Sequence, residues 1–149
     1  MKIAIGSDHG GFNLKNEIVK HLETKGIEYN DFGTLTEQSC DYPEFALKVA
    51  EEVASKNYDL GILVCGTGIG ISIAANKVTG IRAAVCGDTF SAHACREHNN
   101  ANILALGQRV VGVGIAIDIV DTFLNSNFEG DRHQKRINKI AEIEKKYSK

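Results

Sequence analysis

Cys65 is followed at once by Gly66-Thr67-Gly68-Ile69-Gly70, and a thiol beside a glycine-rich turn is the first place in this chain where chemistry could reside. The known loop grammars exclude most cofactors. A dinucleotide fingerprint requires Gly or Ala where Ile71 stands, and a P-loop requires a Gly-Lys-Ser/Thr that the chain lacks. A cysteine phosphatase loop would place Arg six residues after its nucleophile, which is Ile71 again. Nicotinamide, ATP and thiol-phosphate chemistry are therefore disfavoured. What remains is a run of backbone N–H groups leading into a helix start, an anion site with a thiol immediately before it. Positive potential there favours thiolate over thiol, so Cys65 could take a proton while neighbouring amides stabilise an oxyanion. Proton abstraction beside a carbonyl needs both functions, because its product is an enediolate.

Other residues invite similar readings. Arg132 and Arg136 are spaced i, i+4 on a predicted final helix, where like charges repel unless an anion lies between them. They form either a phosphate fork or two solvated side chains. His133 would join that anion site or merely cap it. His98, ending a predicted helix before Asn99 and Asn100, is an acid/base candidate, or else a histidine facing the helix's terminal carbonyls. A metal reading of Cys86, His93 and Cys95 fails on spacing, because residues two apart point nearly opposite ways on a helix. His21 reads as ordinary surface.

The elements that must position these groups follow from periodicity. Lys2–Ser7, Ile27–Phe32, Leu60–Cys65, Ile81–Cys86 and Ile103–Leu106 read as strands. Helical patterns cover Asn13–Lys25, closed by Gly26, with Leu14, Ile18, Val19 and Leu22 on one face, and a second stretch opening at Pro43 and ending near Lys56. Further helices are expected over Ile71–Lys77, Thr89–Glu97 and Val113–Leu124. The alternation predicts an α/β, three-layer Rossmann-like fold with a parallel sheet of about five strands, residues 1–149 forming a single domain. In such sheets, active residues lie outside the carboxyl ends of the strands. That rule nominates Asp8 and His9, Cys65 with its loop, and Gly107 to Arg109. The plainer readings are a helix N-cap for Asp8, a turn residue for His9 and a small buried apolar group for Cys65.

Composition narrows the classes further. Seventeen basic against 19 acidic residues, without a long basic run, speak against a nucleic-acid partner. No apolar run approaches a membrane span or signal peptide, so the cytoplasm is expected. Four unclustered cysteines in a chain that can bury its own core suggest reduced thiols. In the final helix, Ile137, Ile140 and Ile143 make only a narrow apolar stripe, suited to a helix laid across a neighbouring subunit or the domain edge.

The chain resembles the ribose-5-phosphate isomerase B family, which also includes galactose- and allose-6-phosphate isomerases. The resemblance spans nearly all of it. It is carried by Gly6-Ser7-Asp8-His9-Gly10-Gly11-Phe12, Asp41-Tyr42-Pro43, the long string from Cys65 to Lys77, Gly80-Ile81-Arg82-Ala83, Arg96-Glu97-His98-Asn99, Gly107-Gln108-Arg109-Val110 and Arg132-His133-Gln134. It implies an aldose–ketose isomerase of the pentose phosphate pathway with no metal and no cofactor. Cys65 would be the base moving the proton between C1 and C2, with Gly66, Thr67, Gly68, Ile69 and Gly70 at the enediolate and ring oxygens. His98 would assist ring opening, and Asp8, His9, Tyr42 and Asn99 would bind substrate. Arg109, Arg132 and Arg136 would grip the phosphate, the C-terminal arginines coming from a partner subunit in a homodimer or dimer of dimers. Ser72 stands where another branch of the family carries a glutamate base, which places this chain in the cysteine branch. A six-carbon aldose phosphate as substrate and a non-catalytic sugar-phosphate sensor are the alternatives.

Overall fold

The computed structural model describes all residues, 1–149. Five parallel strands, β1 (Lys2–Ser7), β2 (Glu28–Asp31), β3 (Leu60–Cys65), β4 (Ala83–Val85) and β5 (Ile103–Gly107), form one sheet in the order β2-β1-β3-β5-β4. Six helices connect and cover them: α1 (Phe12–Thr24), α2 (Tyr42–Ala54), α3 (Ile69–Ala75), α4 (Thr89–Glu97), α5 (Val113–Asn125) and α6 (Arg132–Tyr147). Both faces of the sheet are apolar, as parallel strands with crossover helices require. Side chains alternate along each strand. Ile5, Ile62, Val64, Leu104 and Leu106 pack with α1, α4 and α5, whereas Ala4, Leu63, Cys65, Ile103 and Ala105 pack with α2 and α3. No helix is long and apolar enough to cross a membrane.

The expected elements are all present, and their deviations have local causes. The edge strands β2 and β4 are shorter than expected because each pairs on one side only. Before β4, the Arg82 amide is taken by the Asn102 side chain at 2.8 Å rather than by a strand. Helix α3 begins two residues early, at Ile69, because Gly68, three residues after β3, turns the chain with φ of 80°.

On α1, Val19 is only half-buried and Lys15 takes a core place instead. Its ammonium, fully buried, meets Asp31 at 2.7 Å and also donates to the Thr34 carbonyl. This ties α1 to the end of β2 and to the loop beyond it. Replacing Lys15 by Ala leaves that carbonyl and carboxylate without their cation. The expected cost is about 3 kcal/mol of stability, read as a lower urea midpoint with an unchanged slope.

Candidate active site

The strand order reverses between β1 and β3, because the chain leaves β1 for β2 on one side and returns to β3 on the other. A crevice opens outside the carboxyl ends at such a point. In this chain three loops meet there and hold one another. The Asp8 amide donates to Val64 O at 3.3 Å, Gln108 N to Cys65 O at 2.9 Å, and Arg109 N to Gly66 O at 3.0 Å. The Gln108 side chain in turn accepts from Leu14 N at 2.9 Å, fixing the last loop to the start of α1. The convergence expected of Asp8, Cys65 and Arg109 is therefore present.

Cys65 ends β3 with its side chain 5% exposed, and its sulfur accepts the Gly68 N–H at 3.1 Å. The geometry of this turn depends on Gly68. At its positive φ any side chain is strained, and a Cβ would stand 2.9 Å from the Leu106 carbonyl carbon. Gly68→Ala should displace both the sulfur's donor and the following amides. We expect a fall in kcat/KM on the order of 10²-fold, with the far-ultraviolet circular dichroism retained.

Around the thiol, Asp8 is buried and its carboxylate accepts Gly11 N at 3.1 Å, so it does cap the turn at His9–Gly11, as its plainer reading held. It also stands against the glycine loop, since a Cβ at Gly10 would lie 3.3 Å from both Asp8 Oδ1 and Gly66 N. His9 Nδ1 accepts the Cys40 amide at 3.2 Å. An accepting Nδ1 leaves the hydrogen of neutral imidazole on Nε2, so His9 presents a donor. Tyr42, at the start of α2, lies over Gly70, where a Cβ would come within 2.7 Å of the phenol ring. Arg109 runs along Gly66 and is exposed, while Thr67 and Ile69 lie on the open side of the loop.

The remaining candidates are elsewhere. Helix α4 runs back from the carboxyl end of β4 to the amino end of β5, and His98 caps its far end. Arg82, just before β4, donates to the carbonyls of Asn99 and Asn100, both at 3.0 Å. Glu129 N donates to Glu97 O at 3.0 Å, which brings the start of α6 to the same place. His98 stacks on His133 with ring centres 4.4 Å apart and planes 13° from parallel, and Arg132 and Arg136 are exposed beside them. This second cluster is separated from Cys65 by the length of the sheet. At about 3.3 Å per residue along a five-residue strand, that is roughly 16 Å. One chain thus holds Asp8, His9, Tyr42, Cys65, its loop and Arg109 at one end, and His98, Asn99, Arg132 and Arg136 at the other.

The structure also corrects one smaller reading. His21 is no idle surface residue, because its Nε2 meets Asp121 at 2.6 Å and links α1 to α5. His93 turns to Glu97 at 3.0 Å, away from Cys86 and Cys95, whose sulfurs lie 3.9 Å apart in the core. Cys40 beside His9 and Glu129 beside His133 escaped the sequence reading. The first pair is 31 residues apart and carries no spacing signal.

The family model described as Ribose/Galactose Isomerase matches residues 3–140. The chain belongs to this family. Ribose-5-phosphate isomerase B of Escherichia coli K12 is 53% identical over 145 residues, covering 97% of each chain. Among solved structures, Clostridium thermocellum ribose-5-phosphate isomerase B superimposes with a TM-score of 0.98 at 64% identity, covering 99% of this chain and all of that one. The Mycoplasma genitalium enzyme, with bound ribulose-5-phosphate, gives 0.93 at 48% identity over 97% and 96% of the two chains. As a ribose/galactose isomerase family member, the chain has the fold that its alternation predicted, down to the Rossmann-like strand arrangement.

Proposed function

We propose that the protein interconverts D-ribose 5-phosphate and D-ribulose 5-phosphate through a cis-enediolate, as a cytoplasmic enzyme of the pentose phosphate pathway, with residues 1–149 serving as one domain. The observation that carries this reading is the Cys65 sulfur 3.1 Å from the Gly68 amide, where the loops bearing Asp8 and Arg109 close on Gly66. The ribulose-5-phosphate held by the Mycoplasma relative supports the substrate.

In this reading the Cys65 thiolate removes the C2 proton of the open-chain aldose and delivers it to C1, while the C2 hydroxyl proton passes to the C1 oxygen, leaving the carbonyl at C2 and the thiolate regenerated. Charge then develops on the C1 and C2 oxygens, and N–H groups of the 66–70 loop stabilise it where water would otherwise have to reorganise. Asp8 and His9 orient hydroxyls, one by accepting and the other by donating. Arg109 adds positive charge for the phosphate at the same end.

Ring opening needs an acid and a base, and His98 supplies them only if a second copy brings its cluster to this crevice. A two-fold pairing does so with one interface and makes two equivalent sites. We therefore read the enzyme as a homodimer, alone or within a dimer of dimers, with His98, Asn99, Arg132 and Arg136 of each copy completing the other's site. The half-exposed Ile140 and the more exposed Ile143 on α6 are consistent with that helix reaching a partner. The test is proton NMR of ribose 5-phosphate in D₂O containing a chelator. Ketose formation with deuterium entering at the exchanging carbon is expected. Binding with no turnover would leave a sensor, and turnover of only allose or galactose 6-phosphate would move the substrate to six carbons.

A further inference from the structure

At the amino end of α6, His133 is 5% exposed and its Nε2 has no hydrogen-bond partner. A buried ring nitrogen left unpaired costs free energy and calls for an explanation. Glu129 Oε2 lies 3.4 Å from it, and a nitrogen of the stacked His98 ring completes a group of three ligating atoms all within 4.8 Å of one another. A tetrahedral zinc ion bound at about 2.0–2.2 Å sets its ligands roughly 3.3 Å apart. The Glu129–His133 edge already has that spacing. His98 must rotate from its parallel stack to close the remaining gap, a movement its half-buried position allows.

We propose that His98, Glu129 and His133 form a zinc-binding site, and that zinc held there inhibits the enzyme. Two imidazoles and one carboxylate suit zinc and disfavour magnesium and calcium, which take oxygen ligands. Arg132 and Arg136 repel a dication, so Glu129 is the ligand whose charge makes binding possible. Inhibition follows because a ligated His98 can no longer exchange protons, and this half of the proposal rests on the ring-opening role given to it above.

The experiment titrates zinc into chelator-treated full-length protein against a chromophoric competitor, with isomerase activity followed in parallel. One zinc per chain is expected, bound about tenfold or more weakly by Glu129→Gln and by His98→Asn. Glu129→Gln should keep wild-type turnover in chelator and resist zinc by the same factor, and EDTA should restore the inhibited wild type. Absence of binding, or binding unchanged in both variants, overturns the proposal. So does an intense thiolate charge-transfer band on cobalt substitution that persists in Cys65→Ala, which would place the metal on Cys86 and Cys95. Binding as expected with turnover untouched keeps the site and removes His98 from ring opening.

Discussion

Cys65→Ala is expected to lower kcat by about 10³- to 10⁴-fold while leaving substrate affinity within a few-fold of wild type, the scale on which a positioned proton-transfer group acts. The two effects separate because the sulfur is the proposed proton acceptor at the end of β3, whereas the groups proposed to meet hydroxyls and phosphate belong to other loops. Asp8 and His9 follow β1, and Arg109 follows β5. Their mutual hydrogen bonds run through backbone atoms of Val64, Cys65 and Gly66, which the substitution keeps. Cys65→Ser controls for packing: it nearly preserves the volume of a side chain that is 5% exposed, yet offers a hydroxyl that is not ionised near neutrality. Both variants should therefore fail alike in turnover and in deuterium exchange at C2, measured by single-turnover kinetics and NMR. Retained exchange in Cys65→Ala would assign the proton transfer to another group.

How far the sequence exposes this arrangement depends on whether the information is local. The bounds of β3 and α4 are legible to the residue, because an apolar run ending in glycines and a capped helical period are local signals. The Asp88 carboxylate accepting Ser91 N at 2.7 Å is the cap that starts α4 at Thr89. Lys15 illustrates the opposite case. Its type places it on the surface, and only the approach of Asp31 and the Thr34 carbonyl, 16 and 19 residues on, makes its burial tolerable. The tie between His9 and Cys40 has the same character. The division of the site into two ends is different, since it was implicit in the pattern. A residue ending the helix that follows a strand must lie near the amino ends of a parallel sheet. His98 could thus have been assigned to the end remote from Cys65 before any coordinates, once the rule that nominated Asp8 and Cys65 was applied to it.

That division leads to the prediction with the sharpest contrast. Cys65→Ala and His98→Asn are each expected to be nearly inactive on the cyclic substrate, the second recovering on substrate already open-chain. When the two variants are co-expressed in equal amounts and pair at random, half of the dimers carry one chain of each kind. In such a dimer one site has lost both groups, while the other combines the intact Cys65 of one chain with the intact His98 of its partner. Activity should return to about one quarter of wild type, because symmetric pairing makes the two sites equivalent. A site completed within one chain can give no such recovery, since every chain then lacks one of its two groups. The roughly 16 Å of sheet between the clusters is what forces this choice, because no side-chain rotation spans it. Recovery would thus fix both the assembly and the role of His98, and its absence in a mixture shown to contain mixed dimers would restrict the chemistry to the Cys65 end.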